Sequence, residues 1–330
     1  MARPHRRSTS LLYQSKWAVF SRWCSQRQIS ARKATIASVA DFLLHLRQDK
    51  AMSVSAVKGF RSALAQVFHL RGIDLSTNPE ISALIKNFEQ EIPPRQLRLP
   101  AWDLSLVLNS LRRAPYEPLE AASFKDVTLK TVFLVALASA KRVSELHALS
   151  YVVSRKRGWS SVTLSYVPEF VAKTQSTAAG ASHFELPALT NILGQTDEDA
   201  LLCPVRALRR YLELTKDSRP ACRRLFITPS RRSPKSVSKN SISFWIRQVV
   251  RSAYDGVSVR ERDMCLVKAH EVRALATSVL FAKNCSLDAV MDAAQWRSHS
   301  TFASFYLRDY DHQYLDLHSL GPIVAAQQIA

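Results

Sequence analysis

Apolar residues recur at helical spacing through residues 8–91, with polar breaks between the runs. Leu12, Trp17, Phe20 and Trp23 mark a stripe along Leu11 to Gln26; Val39, Phe42, Leu43 and Leu46 do so from Ile36 to Leu46. Val57, Phe60, Leu64 and Phe68 repeat the pattern from Val54 to Leu70, and Gly72 stops that run. This is the period of helices that bury one face. Asn78-Pro79-Glu80 predicts a fourth start, since proline suits the first helical position. From Ile92 to Pro100 proline and charge replace the periodicity, so 93–100 reads as an extended linker between a helical domain at 1–92 and a larger one at 101–330.

The larger domain begins with helices predicted near Trp102–Arg113 and Phe124–Ala138. The second is apolar on every side from Val132 to Leu137 and is therefore central. It ends at Ser139-Ala140-Lys141, and Arg142-Val143-Ser144-Glu145-Leu146 opens another turn. Between 150 and 190 the period changes to two: Val162–Val167 and His183–Leu186 read as the strands of a hairpin, with a turn at Ser176–Ser182. A helix from Cys203-Pro204 to Leu214, a short strand at Leu225–Thr228 and a helix from Ile242 to Tyr254 follow. The expected class is mainly α with a small antiparallel β-sheet (α+β).

Charge narrows the picture. The 330 residues hold 46 Lys plus Arg against 27 Asp plus Glu, a net charge of +19, and such an excess favours a polyanionic partner. Arg219 to Lys239 contains seven basic residues and no acid, which predicts a loop close to phosphates or a solvated one. Lys58 and Arg61 on the bundle, Lys156 and Arg157 in a loop, and Arg231 and Arg232 are candidate DNA contacts. The five cysteines lack CxxC spacing, so neither a disulfide framework nor a zinc site is expected. The seven glycines form no phosphate-cradling loop. No apolar run reaches membrane length and no signal peptide is read, so an intracellular protein without a membrane partner is expected.

The candidate chemistry lies between Lys268 and Asp311. His270 and Arg273 are three residues apart, neighbours on a helix. With Val272, Leu275, Ala276 and Val279 on one side and Ala274, Leu280 and Phe281 near the polar residues, that helix should be buried. A buried arginine needs an anion. Glu271 points to nearly the opposite side, which makes a phosphate a natural candidate. Trp296-Arg297-Ser298-His299 then leads through Ser300-Thr301, a plausible N-cap, to a last helix bearing Tyr306. Phe302, Tyr306 and Tyr310 also make a packing stripe. Asp288 and Asp292 read as a solvated helix face, and no metal or other cofactor is expected.

The order His-x-x-Arg, then Trp or His, then Tyr, with 33 residues from Arg273 to Tyr306, resembles the catalytic box of the tyrosine recombinases. STFASFYLRD is similar to the subgroup carried by DIRS-like retrotransposons and related elements. The resemblance implies a helical SAM-like DNA-binding domain and a catalytic domain that clamp DNA between them. It implies that Tyr306 attacks a phosphodiester to give a 3′-phosphotyrosine, and that His270 accepts the tyrosine proton. Arg142 and Arg273 would brace the nonbridging oxygens, with Glu145 steadying the site. Lys173, between the two strands, matches the family's lysine and would protonate the leaving 5′-oxygen; Lys156 and Arg157 compete for that role. Trp296, Arg297 or His299 fills the place before the nucleophile, Trp296 being preferred because its ring nitrogen can donate.

The function so implied is DNA recombination or integration of a mobile element, without metal or ATP, in the nucleus of a eukaryote or otherwise in the cytoplasm. The implied partners are double-stranded DNA and further copies of the chain, a dimer on one site and a tetramer in synapsis, with the tail from Gln313 to Ala330 docking on a neighbour. A catalytically inactive, domesticated DNA-binding protein of the same fold is the alternative, and a type IB topoisomerase-like nicking activity is chemically close.

Overall fold

The computed structural model describes residues 7–91, 102–170, 183–189, 200–219, 222–229, 234–256 and 267–282, together with residue 288. The chain divides into two units, residues 1–96 and 97–330.

In the first unit, α1 (Arg7–Gln26), α2 (Ile36–Gln48), α3 (Val54–His69) and α4 (Pro79–Gln90) stand where the apolar periodicity put them. Their starts are fixed by polar side chains. Thr35 and Ser38 cap each other's backbone at α2, Ser53 accepts from the Ala56 amide at α3, and Asn78 accepts from Ile81 at 3.0 Å before Pro79. Each such cap contributes about 1 kcal/mol. Phe20, Phe42, Phe60 and Phe68 fill the centre, with the Phe20 and Phe42 rings edge-to-face at 5.0 Å. Leu12 departs from the sequence expectation. It is 53% exposed, and burial along α1 begins only with the half-buried Trp17 and the buried Phe20 and Trp23.

The second unit is built on a buried helix. α5 (Leu104–Leu111) precedes α6 (Phe124–Ser139), in which every residue from Val127 to Ser139 is buried. A short α7 (Val143–His147) leads into a three-stranded antiparallel sheet of β1 (Leu149–Arg155), β2 (Ser161–Tyr166) and β3 (His183–Pro187). β2 is central, pairing Val153 with Leu164 on one side and Val162 with Leu186 on the other. α8 (Pro204–Thr215), α9 (Lys239–Ala253) and α10 (Glu271–Ala282) complete the described elements, all three packing on α6. Instead of the short strand expected at Leu225–Thr228, isolated bridges join Ser150 to Arg224 and Ile227 to Ser236. None of the described helices is long and apolar enough to cross a membrane.

Lys130, on α6 and fully buried, donates to the Leu111 carbonyl at 2.8 Å and to Glu117 at 2.5 Å. Glu117 also accepts both guanidinium nitrogens of Arg206 on α8 and the Leu119 amide. Burial opposes the Glu117 charge, but the hydrogen bonds from Arg206 and Lys130 outweigh it and hold the carboxyl below its usual range. Burial in turn pulls Lys130 below the ordinary lysine value, against the pull of Glu117. We expect Glu117→Gln to lower stability by about 2–3 kcal/mol near neutral pH. Because the folded carboxyl is depressed, that difference is present above the unfolded value of about 4.3 and shrinks as pH falls below it. Urea midpoints of both proteins at about pH 7 and about pH 3 check this; an equal gap at both would show that the charge is not the cause.

Candidate active site

α6 ends at Ala140 in a left-handed conformation, φ 48° and ψ 27°, which costs a residue with a Cβ about 1 kcal/mol. The turn hands the chain from the buried helix to Lys141 and Arg142, and Arg142 is the N-cap of α7. Glu145, one turn on, reaches back to the Arg142 amide at 2.6 Å and to its guanidinium at 3.1 Å. One carboxylate thus fixes both the helix start and the direction of the Arg142 side chain.

α10 brings the second arginine. Glu271 caps its own helix by accepting from the Lys268 amide at 3.0 Å and also accepts from the Trp102 indole at 3.2 Å. Arg273, only 3% exposed, meets Glu145 at 3.4 Å across 128 positions of sequence. The anion that a buried Arg273 demands is therefore supplied first by Glu145, and the phosphate expected from the sequence would come in addition. Glu145 is itself 1% exposed, so the pair sits in a low-dielectric environment where the geometry is rigidly held.

These side chains meet at a cleft of about 280 Å³ lined by Lys141, Arg142, Ser144, His270, Arg273 and Ile246. His270 is exposed at the start of α10, on the solvent side of the buried arginine. The structure thus brings together four of the residues singled out from sequence: Arg142, Glu145, His270 and Arg273. Lys173, Trp296, Arg297, His299 and Tyr306, with Arg231 and Arg232, lie outside the described residues. Lys156 is exposed and paired with Glu185 of β3 at 2.7 Å rather than lining the cleft, and Arg157 is exposed in the turn between β1 and β2. On the bundle Lys58 is paired with Glu89, and Arg61 is half-buried on α3.

Part of the basic segment expected near phosphates is structural. Arg219 is 6% exposed, donates to Thr215 and the Arg224 carbonyl, and lies over the Tyr211 ring. Arg224 is committed to the His147 ring and carbonyl. Burial and then Arg224 hold the His147 imidazole down at about 4, so it is neutral beside that guanidinium.

Two residues of the site were missed in the sequence. Lys141 is 5% exposed, with its ammonium 4.9 Å from the Phe184 ring centre. Burial lowers its pKa to about 8; Arg273 and Arg142 add to the lowering and Glu145 opposes it. Tyr166, 4% exposed on β2, has a buried hydroxyl with no hydrogen-bond partner among the described residues. Burial, then the Glu145 charge, push its phenol above the usual value against Arg273 and Arg142, so it stays protonated. Lysine after an apolar helix reads as a favourable charge at a helix C-terminus, and Tyr166 reads as an alternating strand residue. Neither pattern signalled a site.

Two guanidiniums braced by one buried carboxylate, with Lys141 and an exposed histidine lining the same cleft, can hold an oxyanion. The fold that carries it is that of the tyrosine recombinases and integrases. The chain is similar to a lambda integrase dimer bound to a COC′ core site, at 16% identity over 96% of this chain and 92% of that one, TM-score 0.52. It is also similar to the XerH site-specific recombinase bound to a palindromic difH substrate, at 14% identity over 88% and 74%, TM-score 0.58. A third is the Tn1549 transposon integrase in complex with circular intermediate DNA, at 12% identity over 94% and 93%, TM-score 0.56. No family model matches the chain, and no curated protein matches its sequence.

Proposed function

We propose that the chain cleaves and rejoins duplex DNA through a 3′-phosphotyrosine, in the recombination or integration of a mobile element. The observation that carries this reading is the Arg142–Glu145–Arg273 cluster at the cleft that His270 lines. A carboxylate that fixes two guanidiniums from separate helices keeps them in place before substrate arrives, which favours stabilising charge that builds on a phosphoryl group. In this reading the Tyr306 oxygen bonds to phosphorus while its proton passes to His270. The bond to the 5′-oxygen breaks with its electron pair, and Lys173 supplies that oxygen with a proton. Arg142 and Arg273 hold the nonbridging oxygens. Trp296, or else Arg297 or His299, packs beside them. The phosphotyrosine keeps the bond energy, so a 5′-hydroxyl can reverse the step without ATP. Duplex DNA is the partner, bound by a dimer on each site and a tetramer in synapsis, and a eukaryotic host would hold the protein in its nucleus.

The proton-transfer role is tested with a substrate carrying sulfur at the bridging 5′ position, because a thiolate leaves without a donor. Lys173→Ala should cleave ordinary DNA at least about 10²-fold more slowly and cleave the sulfur substrate nearly as fast as the unmutated protein. Arg273→Ala should stay slow on both. Equal slowing of Lys173→Ala on both substrates, or none on either, would remove Lys173 as the acid. Tight duplex binding with no cleavage of either substrate by the unmutated protein would favour an inactive DNA-binding protein instead.

A further inference from the structure

Glu145 is the carboxylate that braces the two arginines of the cleft, and it already accepts from Arg142 twice and from Arg273. Lys141 lines the same cleft at 5% exposure, and among the described residues its ammonium has no carboxylate or carbonyl partner. Its neighbour on one side is the Phe184 ring. That contact compensates a buried ammonium only in part: a cation over phenylalanine is worth about 0.5–2 kcal/mol, and desolvating a charge costs several. The left-handed turn at Ala140 holds the lysine there, directly before the arginine that Glu145 fixes. The cleft, about 280 Å³, has room for one tetrahedral oxyanion.

We propose that Lys141 contacts the DNA phosphate directly, its ammonium forming with Arg142 and Arg273 a three-cation seat for the nonbridging oxygens. This rests on the reading of the cleft as a phosphodiester site. It adds a phosphate ligand contributed by the turn after α6, distinct from the proton donor assigned to the strand connection. An amine that burial lowers to about 8 is drawn back toward the ordinary lysine value when an anion sits against it. Binding of phosphate and uptake of a proton at Lys141 are then coupled above about pH 8.

Two measurements on the full chain test this. In the first, lysine carbons next to the ammonium are labelled and titrated by NMR from about pH 6 to about pH 11, with and without sulfate as the probe anion. Lys141→Arg identifies the signal. Sulfate should move the Lys141 titration upward; a signal that sulfate leaves in place overturns the proposal. In the second, covalent complex formation on a nicked DNA substrate is timed. Lys141→Met, which keeps the length of the side chain, should be slower by about 10²-fold, and the bridging-sulfur substrate should not restore it. Lys141→Arg should recover part of the rate. A Lys141→Met protein that forms the complex at the full rate, or that the sulfur substrate rescues, also overturns the assignment. If sulfate moves Lys141 but the unmutated protein forms no complex, the anion seat stands and the cleavage reading fails. If the complex forms normally in Lys141→Met, the cleavage reading stands and this one fails.

Discussion

Glu145→Ala is expected to destabilise the larger unit by about 3–5 kcal/mol and to abolish DNA cleavage. The carboxylate is 1% exposed and accepts from the Arg142 amide, the Arg142 guanidinium and Arg273. Its removal leaves the 3%-exposed Arg273 without this counter-charge and takes from the start of α7 the carboxylate that accepts from the Arg142 amide. The cap alone is worth about 1 kcal/mol, so most of the effect comes from the buried guanidinium. Glu145→Gln keeps a hydrogen-bond acceptor without the charge and should fall between the two. Affinity for anions should hold or rise in both variants, because the cleft keeps its cations and loses an anion. That separates Glu145 from the residues that contact phosphate, whose loss should weaken binding. Urea midpoints at unchanged slope measure the first effect; a loss below about 1 kcal/mol would mean that Arg273 does not depend on Glu145.

The bundle was legible because its signals were redundant. α2, α3 and α4 combine a helical stripe with a capping residue, and the structure places their starts at Ile36, Val54 and Pro79, as read. α6 was legible as central because only a fully surrounded helix tolerates Val132-Phe133-Leu134-Val135-Ala136-Leu137. β1 was not read. Its residues Tyr151 and Val152 are 40% and 63% exposed, and the register shifts between Leu149 and Val153, so the alternation that marks a half-buried strand is absent. Helix α1 starts at Arg7, four residues before the apolar stripe that marks it, and Trp17, Phe20 and Trp23 of that stripe turn inward while Leu12 stays 53% exposed.

The site was legible where its spacing is local. His270 and Arg273 lie one turn apart and both line the cleft, while Glu145, one turn from Arg142, fixes the arginine that lines it. What joins them, the contact between Glu145 and Arg273, spans 128 positions and has no local signature. Lys141 and Tyr166 escaped for the same reason. Each becomes part of the site only when α6, the sheet and α10 are packed together, and each has an ordinary local role that explains its identity without chemistry. Within the basic run from Arg219 to Lys239, Arg219 and Arg224 spend their donors on the protein itself, which local sequence does not signal.

Tyr306→Phe is expected to remove covalent attachment to DNA altogether while leaving duplex affinity within about twofold, because only the nucleophilic oxygen is lost. Arg142, Glu145 and Arg273 still brace one another in the variant, which should unfold at the same urea concentration as the unmutated chain. The direct measurement is a denaturing gel of the full chain incubated with a nicked duplex that traps the cleaved strand, followed by mapping of the peptide that carries the nucleotide. A protein–DNA species resistant to denaturant is expected, formed without metal or ATP, with the nucleotide on Tyr306, and absent from Tyr306→Phe. A linkage mapped to Tyr310 or any other residue, or no linkage from a protein that binds the duplex tightly, would contradict it.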